Sequence, residues 1–269
     1  MTTTTATTAK TTTDGPQRTV LVTGGSRGIG AAACRLAAAR GWAVAVNYTR
    51  DAAAAEAVVA AIEAAGGTAR ALRADVASDA DVVAMFAAID RELPPLAGLV
   101  NNAGIVDLPV RVDALALDRL QRMFAINVFG SFYCAREAIR RMTTKPAAGT
   151  PGAHEGGAIV NVSSAAAKLG GAGQYVDYAA AKGAIESFTI GLAKEVAGEG
   201  IRVNAVRPGI IATDIHASGG APDRAREMAP LLPLQRAGTS DEVGEAIVWL
   251  LSAASSYTTG SIVEVTGGR

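Results

Sequence analysis

The sequence predicts a single doubly wound α/β domain, with helices on both faces of a seven-stranded parallel sheet. Short apolar runs alternate with long alanine-rich stretches from residue 18 onward. The apolar runs lack the alternation of a strand that has one wet face, so both faces of the sheet are covered. Strand–helix alternation of this length requires right-handed crossovers between parallel strands.

The elements follow one another without a linker, so residues 17–269 are predicted to form one domain. The predicted strands cover residues 19–23, 42–48, 68–74, 96–100, 158–162, 201–206 and 261–265. The predicted helices cover residues 28–39, 52–65, 79–92, 117–142, 178–198 and 241–251. Thr239 and Glu242 have the spacing of a capping box, which marks the start of the last helix.

Three segments depart from this alternation. Residues 1–16 are polar and threonine-rich and lack the apolar stretch of a signal peptide, which predicts a disordered tail. Residues 143–157 form an insertion rich in Gly, Pro and Thr. Residues 212–234 leave the carboxyl end of the sixth strand, where open α/β sheets bind ligands, so we expect a substrate lid there.

Composition excludes several classes of function. Lys plus Arg and Asp plus Glu both number 25, and the isoelectric point is about 6.7, so no basic excess attracts nucleic acid. No run of about 18 apolar residues occurs, so no membrane span is predicted and the expected location is the cytoplasm. The two cysteines and the two histidines lack ligand spacing, which indicates neither a metal site nor a disulfide framework.

The segment after the first strand, residues 23–30, reads TGGSRGIG. Glycines at this place permit a sharp turn, a close approach of backbone to a pyrophosphate, and close helix–strand packing. The N-terminus of the following helix offers free N–H groups to phosphates. The pattern predicts a Rossmann-type dinucleotide site, with a merely tight turn as the alternative. Its predicted binding residues are Gly24, Ser26, Arg27, Gly28, Ile29 and Gly30.

The end of the second strand indicates which dinucleotide is bound. Folds that prefer NAD place an acid there, on the ribose 2′-hydroxyl. Tyr48 occupies that position, and Arg27 and Arg50 lie close to it. This arrangement favours NADP(H) over NAD(H), with two solvated surface arginines as the alternative interpretation.

A Tyr-x-x-x-Lys motif is the principal catalytic candidate. Tyr178 and Lys182 are four residues apart, which places them on one face of a helix. A cationic Lys favours the tyrosinate and brings the phenol pKa toward a working range. Ser163 and Ser164 end the fifth strand upstream, where a hydroxyl can hold a substrate oxygen.

With these motifs in this order, the chain resembles the short-chain dehydrogenase/reductase family from residue 18 to residue 269. Its likeness is closest to glucose-1-dehydrogenase-like and 3-oxoacyl-reductase-like members, through VTGGSRGIG, YVDYAAAKGAI and IRVNAVRPG. The residues that carry the resemblance are Thr23-Gly24-x-x-x-Gly28-x-Gly30, Asp75-Val76, Asn101-Asn102-Ala103-Gly104, Asn127, Ser164, Tyr178 with Lys182, and Pro208-Gly209 with Thr213.

The resemblance implies four catalytic residues. Tyr178 exchanges a proton with the substrate, and Lys182 tunes Tyr178 and holds the nicotinamide ribose. Ser164, the second serine of its pair, orients the substrate oxygen. Asn127 holds a water that links Lys182 to solvent. The alternative for Asn127 is a polar residue that only bends its helix.

The resemblance also implies the course of the cofactor and a homotetramer with twofold symmetry, or at least a dimer. The implied cofactor residues beyond the glycine loop are Tyr48 and Arg50, Asp75 and Val76 at the adenine, Asn102, Ala103 and Gly104 at the adenosine ribose, Tyr178 and Lys182, and Pro208, Gly209, Ile211 and Thr213 at the nicotinamide end. A turn cap is the alternative role of Asp75, and an ordinary turn former is that of Asn102.

The predicted activity is NADP(H)-dependent interconversion of a secondary alcohol and a carbonyl on a small-molecule substrate. The alternatives are a non-catalytic dinucleotide sensor and an NAD-dependent sugar or polyol dehydrogenase. A methyltransferase or an epimerase on the same architecture would not need this set of residues. Tyr175 has no Lys four residues later and is predicted to be a wall of the substrate pocket, and His216 is interpreted as a lid surface residue.

Overall fold

The seven strands form one parallel sheet, which confirms the predicted fold class, and their order is β3-β2-β1-β4-β5-β6-β7. The structure, a computed structural model, describes residues 17–269, and the predicted tail at residues 1–16 lies outside them. The strands are β1 (Thr19–Val22), β2 (Ala43–Tyr48), β3 (Thr68–Arg73), β4 (Leu96–Asn101), β5 (Gly157–Val162), β6 (Ile201–Pro208) and β7 (Ile262–Val265).

Helices cover both faces of this sheet. They are α1 (Gly28–Ala39), α2 (Ala52–Ala64), α3 (Asp79–Glu92), α4 (Leu117–Phe124), α5 (Gly130–Met142), α6 (Ala166–Leu169), α7 (Val176–Val196), α8 (Ile215–Ser218), α9 (Arg224–Met228) and α10 (Ser240–Leu251). Helices α1, α2 and α10 contribute to the core on one face, and α3, α5 and α7 to the core on the other.

Strand β1 is an example of a central strand that is buried on both of its faces. Val20 and Val22 pack into the core beneath α1 and α10, whereas Leu21 packs into the core beneath α3 and α5. All three side chains are fully buried, because successive residues of a strand point to opposite faces. A run without polar alternation is therefore what a central parallel strand needs.

The winding of the chain reverses between β1 and β4. From β1 the chain runs outward through β2 to β3, and then returns to β4 on the other side of β1. At such a switch point the loops after the two strands diverge and leave a crevice at their carboxyl ends. The glycine-rich segment follows β1, and residues 102–104 follow β4, so both predicted motifs border the crevice.

The predicted helix 117–142 is interrupted. Helices α4 and α5 are separated by a single π-helical turn, Ala125–Phe129, which contains Asn127. The Asn127 Nδ2 donates to the Met123 carbonyl at 3.0 Å, an acceptor that an uninterrupted helix would use for its own backbone. The hydrophobic pattern of the sequence does not reveal that a side-chain amide competes with a backbone N–H for this carbonyl.

Other boundaries differ by smaller amounts. Helix α7 begins at Val176, two residues before its predicted start, and segment 212–234 contains α8 and α9. The capping box at the start of α10 is confirmed, since the Thr239 hydroxyl accepts from the Glu242 N–H and the Glu242 carboxylate accepts from the Thr239 N–H. Among the residues that the structure describes, none of the helices has the length and apolarity to cross a membrane.

Candidate active site

The glycine loop after β1 is shaped by close backbone contacts. Gly24 and Gly28 have φ angles of +60° and +53°, which side chains other than glycine rarely adopt. A Cβ at Gly30 would lie 2.3 Å from the Gly24 carbonyl oxygen and 2.6 Å from Asn102 Nδ2. The loop therefore needs glycine at these positions, and it presents backbone to the crevice in the way that a dinucleotide pyrophosphate requires.

Asn102 fastens this loop to the end of β4. Its Nδ2 donates to the carbonyls of Thr23 and Gly24, at 2.9 and 3.0 Å. The Thr23 hydroxyl in turn accepts from the backbone N–H groups of Asn102 and Ala103, both at 3.0 Å. These contacts place Asn102 as a brace beneath the crevice as well as a residue of its wall.

Asn47, which was not among the predicted site residues, fixes the other side of the loop. Its Oδ1 accepts from the Gly24 N–H at 3.2 Å, and its Nδ2 donates to the Ala74 carbonyl at 3.0 Å. Its own carbonyl accepts from the Gly25 N–H at 2.8 Å. The sequence contained one indication of this role, an amide side chain within an otherwise apolar strand. A buried amide needs hydrogen-bond partners, so it marks a place where the strand is tied to other segments.

The predicted 2′-phosphate site lies at the end of β2. Tyr48 is half-buried, and Arg27 and Arg50 are exposed. Within residues 17–269, neither guanidinium makes a hydrogen bond or an ion pair. The Asp51 carboxylate accepts from the Ala54 N–H at 3.0 Å and caps α2, and it forms no ion pair with Arg50 within the described residues. Both arginines keep their donors for another group.

The turn after β3 is built by Asp75. Its carboxylate accepts from the Ala77 N–H at 2.9 Å, which is the turn-capping role given above as an alternative. Its backbone N–H donates to the Asp81 carboxylate at 3.0 Å, and this contact and the Ser78 hydroxyl lower the pKa of Asp81. Val76 is buried against Gly130, where a Cβ would lie 2.8 Å from Val76 Cγ2.

Tyr178 and Lys182 lie one turn apart on α7 and both are almost completely buried. The Lys182 Nζ lies 5.7 Å from the centroid of the Tyr178 ring and donates to the Val162 carbonyl at 2.7 Å. Burial lowers the pKa of Lys182 to about 8. Burial also raises the pKa of the Tyr178 phenol, against the opposing effect of a hydrogen bond with Ser164.

The π-helical turn brings Asn127 behind this pair. The Asn127 carboxamide accepts from the Ile105 N–H and donates to the Ile105 carbonyl, each at 3.1 Å. A Cβ at Gly104 would lie 2.6 Å from Asn127 Oδ1 and 3.5 Å from Lys182 Nζ. Asn127 and Lys182 therefore face the same small space, and Gly104 keeps that space open.

The two serines at the end of β5 have different surroundings. The Ser163 hydroxyl is buried and donates to Glu186 at 2.8 Å, and Glu186 is held by two hydrogen bonds of 2.7 Å from Arg207. The Ser164 hydroxyl is partly accessible, accepts from the Ala166 N–H at 3.1 Å and interacts with the phenol of Tyr178. Ser163 therefore gives its hydroxyl proton to Glu186, whereas Ser164 does not.

A cavity of about 500 Å³ opens above these groups. The predicted site residues that line it are Ile29, Asn102, Gly104, Ser164, Tyr178, Lys182, Pro208, Gly209, Ile211 and Thr213. The predicted residues outside its wall are Gly24, Ser26, Arg27, Gly28, Gly30, Tyr48, Arg50, Asp75, Val76, Ala103 and Asn127. The first set is what a substrate and a nicotinamide ring would contact, and most of the second borders the crevice toward β2 and β3.

The sequence is similar to that of known oxidoreductases along most of its length. The family model described as Enoyl-(Acyl carrier protein) reductase matches residues 24–269. An uncharacterized oxidoreductase of Escherichia coli, YgfF, is 52% identical over 93% of this chain and 98% of its own length. A 3-oxoacyl-[acyl-carrier-protein] reductase of Synechocystis is 37% identical over 92% of this chain and 95% of its own.

The chain belongs to the short-chain dehydrogenase/reductase family. Solved structures of similar proteins share its fold. A short-chain dehydrogenase of Burkholderia cenocepacia in complex with NADP has a TM-score of 0.82 and 34% identity, covering 94% of this chain and 97% of its own. A blue fluorescent protein from a metagenomic library in complex with NADPH also has a TM-score of 0.82 and 34% identity, covering 93% and 97%.

Two further contacts of this short-chain dehydrogenase/reductase were missed because they join distant parts of the chain. Arg119 on α4 forms a buried ion pair with Asp177, the residue before Tyr178, at 2.8 Å. Arg224 on α9 donates to the Tyr175 hydroxyl at 2.8 Å. Among the described residues, no group of His, Cys, Asp or Glu has the arrangement of a metal site.

Proposed function

We propose that the chain is an NADP(H)-dependent oxidoreductase that interconverts a secondary alcohol and a carbonyl, with Tyr178 as the acid and base. One observation carries the proposal. The Tyr178 phenol lines the cavity beside Ser164 and shares a helix face with the buried ammonium group of Lys182. A proton donor, a hydroxyl that orients oxygen and a cation next to the donor are what carbonyl reduction requires.

The crevice has the backbone shape for the cofactor. Gly24, Gly28 and Gly30 keep side chains away from the place of the pyrophosphate, and the N-terminus of α1 supplies free N–H groups. Pro208 and Thr213 would border the nicotinamide end, where they line the cavity. NADP(H), when bound, supplies or accepts the hydride, and the protein supplies orientation and the proton.

Residues of α7 and of the segment after β5 would transfer and orient the proton. Tyr178 donates its phenolic proton to the carbonyl oxygen in reduction and takes it back in alcohol oxidation. Ser164 donates a hydrogen bond to the same oxygen and fixes its direction. The positive charge of Lys182 favours the tyrosinate and so opposes the effect of burial on the phenol. Asn127, which faces the same space as Lys182, positions the lysine and connects it to the loop after β4.

A preference for NADP(H) has two supports. Two similar structures are complexes with NADP and NADPH. In this chain the end of β2 has Tyr48 in place of an acid, and the guanidinium groups of Arg27 and Arg50 have no partner among residues 17–269. A 2′-phosphate adds about two negative charges, which such groups bind with charge-assisted hydrogen bonds.

The experiment is an assay of purified protein with NADPH and with NADH across small ketones, sugars, polyols and 3-oxoacyl thioesters. We expect reduction of at least one ketone class, with a higher kcat/KM for NADPH. Binding of NADPH without turnover on any class would favour the dinucleotide sensor. Oxidation of sugars or polyols with NAD at equal or higher efficiency would favour the NAD-dependent dehydrogenase.

A further inference from the structure

The lid contributes a cation to the wall of the cavity. Arg224 begins α9, within segment 212–234, and its side chain lines the cavity that also contains Tyr178. No Asp or Glu side chain is part of that wall. The wall also contains the cationic residues Lys182 and Arg269, and Arg224 is the cation that segment 212–234 adds to it.

The partners of Arg224 are neutral. Its guanidinium carbon lies 5.6 Å from the centroid of the Tyr175 ring, and one terminal nitrogen donates to the Tyr175 hydroxyl at 2.8 Å. The Gln174 carboxamide oxygen accepts two longer contacts, at 3.4 and 3.5 Å. Within the described part of the chain no acid pairs with Arg224. The side chain is held in place while its charge remains uncompensated.

Arg226, two residues later on the same helix, shows the ordinary arrangement. It is exposed and forms an ion pair with Asp223 at 2.9 Å. Its side chain is not part of the cavity wall. The two arginines belong to the same helix, but only the Arg224 side chain lines the cavity and only Arg226 forms an ion pair with an acid.

Arg224 lies one aromatic ring away from the proposed acid. The rings of Tyr175 and Tyr178 meet edge to face, with centroids 6.0 Å apart and an interplanar angle of 84°. Arg224 contacts the Tyr175 ring, so a short substrate can extend from the Tyr178 phenol to the guanidinium. Val106, Met228 and Ile215 line the same cavity and would contact an aliphatic segment between these two ends.

His216 does not compete for this role. Its Nε2 lies 2.8 Å from the Ile211 carbonyl, which can only accept, so that nitrogen carries the proton. Burial and the charge of Arg224 lower the pKa of His216, against the raising effect of its hydrogen bond with Ile211, and so favour the neutral imidazole. Arg224 is thus the group of α8 and α9 that brings positive charge to the substrate.

We infer that Arg224 recognises a carboxylate on the substrate, and that the substrate class is a short oxo acid or the matching hydroxy acid. The planar guanidinium offers parallel N–H donors that match a carboxylate. The hydrogen bonds to Tyr175 and Gln174 fix its plane in advance, which reduces the ordering cost of binding. The inference rests on the proposed function, because it assumes that the reacting carbonyl lies at Tyr178.

The test measures binding apart from turnover. Saturation-transfer NMR on protein saturated with NADP⁺, and on protein without cofactor, would give the affinities of acetoacetate and levulinate and of their neutral amides. We expect the wild type to bind at least one acid about tenfold or more tightly than its amide, the effect of one charge-assisted pair. Arg224→Gln should remove this preference, and Arg224→Lys should restore part of it.

Arg226→Gln is the matched control and should keep the wild-type preference. Thermal unfolding of each variant at the wild-type midpoint would show that the fold is retained. An unchanged preference for the acid in Arg224→Gln, or no preference in the wild type, would overturn the inference.

A parallel activity assay separates the two proposals. Reduction of neutral ketones as efficient as that of the acids, and unaffected by Arg224→Gln, would leave the proposed function standing and remove the role of Arg224. Binding of the acid that depends on Arg224, without reduction of any carbonyl, would support carboxylate binding by Arg224 and remove the proposed function. With both proposals correct, Arg224→Gln should raise KM for the acid far more than it lowers kcat.

Discussion

The Lys182 ammonium nitrogen lies 5.7 Å from the centroid of the Tyr178 ring, and both residues are less than a tenth exposed. Burial moves their pKa values in opposite directions, downward for the lysine and upward for the phenol. Burial therefore favours the neutral form of both groups.

The burial of Lys182 predicts a pH dependence of stability. Folding lowers its pKa from 10.5 to about 8, so between these values the unfolded chain holds more protons than the folded chain. The contribution of Lys182 to the free energy of unfolding should then rise with pH across this interval, against the opposite contribution of the buried Cys34 and Cys134 thiols, whose pKa values burial raises. Lys182→Met should lack that rise. Denaturant unfolding at pH 7 and at about pH 9, below the ordinary pKa of a tyrosine, would measure it.

Lys194→Met is the control for this prediction, because Lys194 is exposed on the same helix. It should keep the wild-type pH dependence. Parallel stability profiles of wild type and Lys182→Met would mean that Lys182 titrates normally in the fold.

Gly30→Ala should damage cofactor binding and stability together. The added Cβ would lie 2.3 Å from the Gly24 carbonyl oxygen, so the loop must shift. We expect a loss of about 1–3 kcal/mol in the free energy of unfolding, as for other overpacked positions, and a weaker affinity for NADPH. Gly191→Ala on α7 has no atom within 4 Å of its Cβ and should be neutral or slightly stabilising. Wild-type NADPH affinity in Gly30→Ala would refute this account of the loop.

Arg27 and Arg50 should determine the choice of cofactor. A charge-assisted hydrogen bond contributes about 1.5–3 kcal/mol, so two partly solvated ones predict a preference for NADPH over NADH of roughly 10- to 1000-fold. Arg27→Ala and Arg50→Ala should each lower the ratio of the two kcat/KM values. Arg40→Ala, at the other end of α1 and paired with Glu245, should leave it unchanged. A wild-type ratio near one would exclude the role of both arginines.

The exposed aromatic face of α5 and α7 predicts self-association. Phe129 and Phe132 are about half exposed, and the Phe132 ring stacks on Phe188 with centroids 3.9 Å apart. Large exposed apolar side chains of this kind mark contact surfaces, and we expect a homotetramer with twofold symmetry. Phe132→Glu should dissociate it, whereas Val83→Glu on α3 should not. Light scattering that gives 27.2 kDa for the wild type would contradict the prediction.

Much of the fold could be predicted because it depends on local pattern. The apolar strands and the glycines of residues 24–30 can each be recognised from a few consecutive positions of the sequence. The turn at Asn127 could not be predicted, because it depends on one amide that takes the Met123 carbonyl from the helix. Hydrophobic periodicity is the same with or without that turn.

The rest of the site depends on contacts between distant positions. Arg119 and Asp177 are 58 residues apart in the chain, and Arg224 and Tyr175 are 49 apart. Before the helices are placed, each of these charged residues has the features of an ordinary surface group. Only their packing shows that one pair braces the start of α7 and the other directs a cation into the cavity.

Tyr178→Phe tests the central claim most directly, because it keeps the ring and removes only the hydroxyl. With a ketone substrate and NADPH, we expect kcat to fall by about 10²–10⁴-fold, the usual contribution of an acid–base group. The thermal unfolding midpoint and the affinity for NADPH should remain those of the wild type, and the exposed control Tyr257→Phe should keep full activity. A Tyr178→Phe protein that retains more than about a tenth of wild-type turnover would contradict the assignment of Tyr178 as the proton donor.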